Sequence, residues 1–262
     1  MDDRREPDEP NDVDEPTEPP GPSWSDIAGW YDDLLAAGSG PHETALRCLL
    51  DLIPAGGLDG ADVLDLACGT GHASRALLAG GAARVVGVDS SPAMLERARS
   101  HGVPAGLAYL VDDAHELAGV HGTFDGVTCQ LALMDIPDLD RALAAVHRVL
   151  RPGGWFVFVI GHPCFLVPDA RPATVDGRPA VTVTGYFPER FWRSSNPHGV
   201  RRAGNHHRRL GTYLNAAVAA GFAIAAVDEP PARPLLARQN PLYTEVPIFF
   251  AARLERGNSA AQ

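Results

Sequence analysis

One short stretch, residues 63–72 with the sequence VLDLACGTGH, constrains the fold of this chain more than any other. Its first five residues are apolar except for Asp65, and Gly69 and Gly71 follow them. Residues 73–79 are rich in alanine and leucine and contain no proline or glycine, which favours a helix. Glycine permits a positive φ and a close approach of a ligand to the backbone, while a helix N-terminus favours an anionic group. The stretch therefore predicts a buried strand, a ligand-binding turn and a helix.

A second strand and an acidic residue follow at a spacing typical of nucleoside-binding units. Residues 84–88, RVVGV, are largely β-branched, and Asp89 follows them 18 residues after Gly71. In such units an acid at the end of the second strand accepts hydrogen bonds from a ribose. We therefore expect Asp89 and the glycine turn to contact one ligand.

The position of Asp65 distinguishes this unit from nicotinamide-binding domains. Asp65 lies inside the first strand, four residues before Gly69, and the pattern D-x-A-x-G-x-G, with Ala67 at its third position, differs from the GxGxxG spacing. The pattern resembles motif I of class I S-adenosylmethionine-dependent methyltransferases. Four later segments resemble the same family in the same order, namely residues 85–99, 110–117, 124–130 and 149–154.

The alternation of elements predicts the fold class. Strand and helix patterns alternate five times over residues 62–159, which indicates a parallel sheet covered on both faces. Residues 208–220 then predict a helix, residues 222–227 a strand and residues 246–252 a last strand, which the resemblance implies to be antiparallel. We expect an α/β, Rossmann-like, doubly wound seven-stranded sheet with an insertion after the fifth strand.

Composition divides the chain into a tail and one domain. Residues 1–22 contain nine acids, two arginines and six prolines, so this segment cannot bury enough apolar surface to offset its ordering entropy. We expect a disordered tail there and a single methyltransferase domain over residues 23–262. Two helices, at residues 27–36 and 43–53, would begin that domain.

Several classes of protein are not expected. No apolar run reaches the ~18 residues of a membrane helix, and the N-terminus lacks the basic and apolar parts of a secretory signal. We therefore expect no membrane partner and a cytoplasmic location. The four cysteines form no CxxC pair, so neither a disulfide framework nor a zinc site is predicted, and the sequence predicts no metal at the acceptor.

The resemblance implies S-adenosyl-L-methionine as the cofactor and S-adenosyl-L-homocysteine as the product. The carboxyl ends of parallel strands gather at one edge of such a sheet, where ligands bind. In this family a tyrosine from an N-terminal helix often lies over the cofactor, and Tyr31 fits that role. The expected cofactor contacts are Tyr31, Asp65, Ala67, Gly69, Gly71, Asp89, Ser90, Asp113, Ala114 and Gln130.

The segment after the fifth strand, residues 162–207, is too long for an ordinary connection. We expect this segment, called the cover below, to lie over the acceptor. Tyr186, Phe191 and Trp192 are its predicted substrate contacts. Arginines surround these aromatics, which suits an aromatic or carboxylate-bearing metabolite. They are Arg190, Arg193, Arg201, Arg202, Arg208 and Arg209.

Methyl transfer from a sulfonium is a direct displacement, so the protein mainly aligns the reactants and excludes water. An acceptor hydroxyl or protonated amine also needs a base, and histidine is the usual base near neutral pH. Chain topology brings His162, His206 and His207 within reach. We favour His207, because it lies where the cover returns to the domain.

The predicted function is S-adenosylmethionine-dependent methylation of a small metabolite on oxygen or nitrogen, of the kind found in secondary metabolism. We expect no nucleic-acid partner, and a monomer or homodimer. Two alternatives stay open. One is a cyclase or other non-methylating enzyme on the same fold, and the other is an RNA or tRNA base methyltransferase, which the arginines and aromatics motivate.

Overall fold

Apolar strands that end in tight turns build one seven-stranded sheet. The computed structural model describes residues 21–258, so most of the predicted tail lies outside the described residues. The strands, in chain order, are β1 (Asp62–Leu66), β2 (Arg84–Asp89), β3 (Leu107–Val111), β4 (Phe124–Gln130), β5 (Leu150–Gly161), β6 (Arg171–Val175), β7 (Arg178–Thr182), β8 (Arg190–Trp192), β9 (Asn205–His207), β10 (Phe222–Asp228) and β11 (Phe249–Arg256).

The order of strands in the large sheet is β10-β11-β5-β4-β1-β2-β3. Strands β1 to β5 are parallel, whereas β11 runs antiparallel to both of its neighbours, β5 and β10. This arrangement confirms the predicted fold class, including the antiparallel last strand.

Helices cover both faces of the sheet. They are α1 (Trp24–Ala36), α2 (Gly40–Leu52), α3 (His72–Ala79), α4 (Pro92–Ser100), α5 (Leu139–Val149), α6 (Leu210–Ala219) and α7 (Pro234–Gln239), with short 3-10 turns at Val200–Ala203 and Pro241–Thr244. Successive side chains of a strand point to opposite faces. Val63 accordingly packs into a core with α2 and α3, and Leu64 packs into the other core with α5 and α6.

Three helices begin away from their predicted first residues. Helix α2 begins at Gly40 rather than at residue 43, with a proline in its first turn. Helix α1 begins at Trp24, since Ser23 and Asp26 form a reciprocal capping box. Helix α6 begins at Leu210 rather than at Arg208. Arg209 is extended and caps the helix, while the buried Arg208 guanidinium donates to the carbonyls of Ile136 and Pro137.

Helix α1 and the first turn of α2 lie at the carboxyl edge of the sheet. Ser25 Oγ of α1 is 2.7 Å from Ser91 Oγ, which caps α4. The Gly40 N–H at the start of α2 donates to Gln239 Oε1 of α7 at 3.0 Å. These contacts hold one face of α1 and the beginning of α2 above the strand ends. Within residues 21–258, none of the helices has the length and apolarity needed to span a membrane.

The cover forms two hairpin sheets of its own. Strands β6 and β7 pair with each other, as do β8 and β9, and neither pair joins the large sheet. One backbone bond, from the His206 N–H to the Met134 carbonyl at 2.8 Å, ties β9 to the segment after β4. Directly after β8, Arg193 donates a hydrogen bond to the Pro22 carbonyl at 2.8 Å.

Candidate active site

The turn after β1 has a conformation that only glycine adopts easily. Gly69 and Gly71 have φ values of +54° and +75°. An ideal Cβ at Gly71 would lie 2.1 Å from the Tyr109 hydroxyl oxygen. Ala67 and Leu131, at the ends of β1 and β4, also have positive φ, 51° and 57°. Such conformations are costly for residues with a Cβ and concentrate at functional sites.

The Asp65 side chain, beneath this turn, links β1 to α3 and β4 through hydrogen bonds. Its carboxylate accepts hydrogen bonds from Ser74 Oγ of α3 at 2.6 Å and from Thr128 Oγ1 of β4 at 2.9 Å. Burial raises the pKa of Asp65 to about 6, although both hydroxyls favour the charged form. Asp65 therefore sets the relative positions of β1, α3 and β4.

Asp89 connects the turn after β1 with the turn after β2. One carboxylate oxygen accepts the Gly69 N–H at 2.8 Å and the other accepts the Ser91 N–H at 2.9 Å. Burial raises the pKa of Asp89, and these two bonds oppose the rise. Each oxygen keeps a further lone pair, so the carboxylate can also accept ligand hydroxyls.

A set of adjoining cavities, called the cofactor cavity below, runs along the carboxyl ends of the strands. Nine of the ten residues predicted to contact the cofactor line it; the exception is Gly71, which caps α3. The nine are Tyr31, Asp65, Ala67, Gly69, Asp89, Ser90, Asp113, Ala114 and Gln130. Sequence patterns thus identified residues that line these adjoining cavities, and their contacts with a cofactor stay a prediction.

Buried polar atoms in this cleft fit a polar nucleoside ligand. Gln130 Nε2 donates to the His42 carbonyl at 3.3 Å, yet Gln130 Oε1 has no hydrogen-bond partner among residues 21–258, and the same holds for Thr70 Oγ1. Buried polar atoms are normally paired. A ligand with hydrogen-bonding groups, held where the glycines leave the backbone open, would satisfy them.

A second cavity, called the acceptor cavity, adjoins the first. The two share Trp24, Tyr31, His42, Leu131 and Asp135. The remaining wall comes from the cover, the segment after β4 and the segment before β11. It includes Met134, Leu166, Arg201, Asn205, Tyr243 and Phe249.

Three ionisable side chains in this wall have shifted pKa values caused by burial. His42 has Nδ1 2.7 Å from Ser39 Oγ, and burial lowers its pKa to about 4, so the ring is neutral at pH 7. Burial raises the pKa of Tyr31. Burial also raises the pKa of Asp135 well above its usual range, against the opposing charges of Arg201 and Arg208.

The three predicted histidines lie elsewhere. Both ring nitrogens of His162 are engaged, Nε2 with Glu229 at 2.6 Å and Nδ1 with the Cys164 N–H at 3.1 Å. His207 Nε2 is 2.8 Å from the Tyr186 carbonyl. His206 packs edge-on against an aromatic ring, and burial lowers its pKa to about 4. None of the three lines either cavity.

The aromatic side chains predicted to contact substrate also lie outside both cavities. The Tyr186 hydroxyl accepts the Leu210 N–H at 3.0 Å. Phe191 packs on Gly204, where an ideal Cβ would be 2.2 Å from the ring. Trp192 packs against Arg201, whose guanidinium carbon is 5.8 Å from the centre of the Trp192 ring. These rings support the wall of the cavity rather than form it.

Most of the arginines predicted to surround the cover aromatics have partners within the protein. The partners are Asp169 for Arg190, Pro22 for Arg193, the Trp30 ring for Arg202, three carbonyls for Arg208 and Glu189 for Arg209. The positive charge that motivated a nucleic-acid partner is therefore largely engaged internally. Arg201 differs, because it lines the acceptor cavity.

Sequence patterns did not identify His42 or Asp135 as cavity residues, and they named Arg201 only as one of six arginines around the cover aromatics. The position of Asp135, five residues after β4, was a usable signal, since it follows a strand that ends at the ligand edge. His42 carried no local signal and nothing local distinguished Arg201 from the other arginines, because both reach the cavity only through packing of α2 and the cover. In the part of the chain that the structure describes, no three His, Cys, Asp or Glu residues are grouped so that they could hold a metal ion.

Comparisons with known proteins agree with this arrangement. A family described as a methyltransferase domain matches residues 64–158. Over 84% of its length the chain is similar to an S-adenosylmethionine-dependent methyltransferase from Mesorhizobium loti, covering 99% of that chain with 32% identity and a TM-score of 0.67. A putative enzyme of the same description from Listeria monocytogenes shares the fold, with a TM-score of 0.69, 24% identity and coverage of 82% of this chain and 99% of that chain.

Curated relatives match over a shorter part. The ubiquinone biosynthesis O-methyltransferase of Thiobacillus denitrificans is 40% identical over 104 residues, which are 38% of this chain and 44% of that protein. The chain thus spans less than half the length of this relative. The similarity over nearly the whole Mesorhizobium loti enzyme, together with the motif after β1, shows that this chain belongs to the S-adenosylmethionine-dependent methyltransferases.

Proposed function

We propose that this enzyme transfers the methyl group of S-adenosylmethionine to an oxygen atom of a small molecule in the acceptor cavity. The observation that carries the proposal is the junction of the two cavities, where Tyr31, Leu131 and Asp135 line both. A molecule held on the acceptor side would meet the cofactor only there. The curated relatives, which are named O-methyltransferases, support oxygen as the atom that is methylated.

The residues of the cofactor cavity are suited to separate parts of the cofactor. Asp89 and Ser90 would hold the ribose hydroxyls, and Asp113 and Ala114 would border the adenine. Gly69, Gly71 and Ala67 would leave the backbone open to the amino-acid part, with Tyr31 above it and Gln130 Oε1 beside it. The cofactor supplies a methyl group on a positively charged sulfur and is released as S-adenosylhomocysteine.

Transfer to a hydroxyl releases a proton, and we propose Asp135 as the group that accepts it. Its side chain lies at the junction of the cavities, and burial raises its pKa well above the usual range of a carboxyl group, which makes the carboxylate a stronger base. His42 also lines the acceptor cavity, but its lowered pKa makes it a weaker base. A base role for His162, His206 or His207 stays a prediction, which their placement does not support.

The function is tested by supplying purified enzyme with S-adenosylmethionine that carries a deuterated methyl group. The acceptors are a panel of phenols, catechols and hydroxy acids, with tRNA transcripts as a separate arm. We expect S-adenosylhomocysteine together with a small-molecule product heavier by one deuterated methyl group. An Asp89→Ala variant serves as the cofactor-deficient control.

Two results would overturn this function. Label found in tRNA but in no small molecule would indicate the nucleic-acid alternative. A rearranged product that forms without S-adenosylhomocysteine would indicate the non-methylating alternative.

A further inference from the structure

The Arg201 guanidinium is a charged group in the wall of the acceptor cavity that has no hydrogen-bond acceptor or ion-pair partner in residues 21–258. Only the Arg201 carbonyl is engaged, by the N–H groups of Ser194 and Gly204. The guanidinium packs closely over Gly161, where an ideal Cβ would be 2.7 Å from Nη2. Trp192 lies against it on another side. The five N–H donors of the guanidinium are thus held in place and can donate hydrogen bonds to a ligand.

The surroundings of Arg201 are those of a binding site rather than of a surface charge. The side chain is half-buried, and burial lowers the pKa of Arg201, while the charge of Asp135 opposes that shift. A guanidinium that is partly removed from water is costly unless an anion pairs with it. The neighbouring cover arginines illustrate the difference, since Arg190 is exposed and pairs with Asp169 at 2.9 Å.

Asp135 lines the same cavity as Arg201. Both side chains line the cavity, yet no ion pair joins them. Asp135 also borders the cofactor cavity, whereas Arg201 does not. A molecule that bridges the two would therefore have one end at Arg201, away from the cofactor, and the other end at Asp135, beside it.

We propose that the acceptor is a hydroxylated small molecule with a carboxylate, and that the carboxylate pairs with Arg201 while the hydroxyl lies beside Asp135. The planar guanidinium fork matches a carboxylate through two parallel hydrogen bonds, and Trp192 holds the fork in its plane. This inference rests on the proposed function, because it names the class of molecule that the acceptor cavity takes.

The test measures binding to the enzyme saturated with S-adenosylhomocysteine. The probes are hydroxybenzoates, dihydroxybenzoates and hydroxycinnamates, each compared with its own primary amide by calorimetry. We expect at least one acid to bind on the order of 10- to 100-fold more tightly than its amide, as for hydrogen bonds to charged groups. Arg201→Met should abolish that preference, and Arg201→Lys should restore only part of it. Arg190→Met is the matched control and should keep the full preference.

Three results of the binding measurement would overturn the inference: amides that bind as tightly as acids, a preference that survives Arg201→Met, or no binding by any acid. Affinity for S-adenosylhomocysteine reports whether Arg201→Met is folded. If it is not folded, the acid-to-amide ratios of the wild type and Arg201→Lys decide. Methyl transfer to neutral acceptors alone would overturn this inference and leave the proposed function intact, whereas transfer only to tRNA would overturn the proposed function.

Discussion

The Asp89 carboxylate accepts the Gly69 N–H at 2.8 Å, so the acid that ends β2 also fixes the glycine turn that follows β1. The same carboxylate accepts the Ser91 N–H, which begins α4. Asp89, which is proposed to hold the ribose, thus also holds these two turns in place. Its replacement should affect both cofactor affinity and the shape of the turn.

Asp89→Ala should weaken the binding of S-adenosylhomocysteine by roughly 1.5–3 kcal/mol, the range for hydrogen bonds to a charged group. Asp89→Asn should lose less, because its amide oxygen can still accept one N–H. Calorimetry measures both values. Glu96→Ala, on the exposed side of α4, is the matched control, and equal affinities for all three variants would refute the ribose assignment.

Gly71→Ala should destabilise the fold through two effects, first the left-handed backbone conformation and second a steric clash of the added Cβ. The residue has φ +75° and its new Cβ would meet the Tyr109 hydroxyl at 2.1 Å. Gly38→Ala isolates the first effect, since Gly38 has φ +85° with nothing within 4 Å of the added atom. We expect about 1–2 kcal/mol for Gly38→Ala and about 1–3 kcal/mol more for Gly71→Ala, measured by urea unfolding. Equal losses would show that Tyr109 moves away freely.

His42 should make the free energy of unfolding depend on pH. Its pKa is about 4 in the fold and near 6.5 in the unfolded chain. Between these values the unfolded chain binds the extra proton, so the stability that His42 contributes is complete above about pH 6.5 and falls as pH decreases toward 4. The contribution lost is about 3 kcal/mol.

The comparison of wild type with His42→Gln measures this effect. Asp65 has the opposite dependence, because its raised pKa favours the fold below about pH 3.8 and loses that contribution as pH rises through 6. Since Asp65 is present in both proteins, its part cancels in the difference. Unfolding free energies that differ by a constant amount from pH 4 to 7 would contradict the prediction, and an NMR titration of His42 would locate the error.

Asp135→Asn should lower the single-turnover rate of methyl transfer by ~10²–10⁴, the usual contribution of a general base, and change S-adenosylhomocysteine affinity little. His207→Ala should keep a rate near that of the wild type, because its ring bonds to the Tyr186 carbonyl. The rates must be measured under single-turnover conditions, since slow product release can conceal a defect in chemistry. A large loss in His207→Ala with none in Asp135→Asn would restore the histidine mechanism.

The cofactor side of the site could be predicted from sequence because its residues lie in local patterns. Gly69, Asp89 and Gln130 each follow a strand, and parallel strands bring such positions to one edge. Their contacts depend on the backbone path of the sheet, which short-range patterns determine. The same reasoning located the antiparallel last strand only through the family resemblance.

The acceptor side could not be predicted in the same way. Aromatic residues in the cover indicate apolar packing but not the partner of that packing. Phe191 packs edge-on against His206, and Tyr186 against His207. His42 reaches the cavity because α2 packs beside α7, a contact between residues about 200 positions apart. Packing between segments that are far apart in the chain produces no periodic pattern in the sequence.

The pairing of β6 only with β7, and of β8 only with β9, has a consequence for how such enzymes diversify. Because no hydrogen bond of the large sheet depends on these hairpins, their length and side chains can change while the sheet keeps its register. Grafting the cover of a relative between β5 and α6 should therefore exchange the molecules that are accepted and leave cofactor affinity as it was. The cofactor cavity and the acceptor cavity can therefore evolve separately.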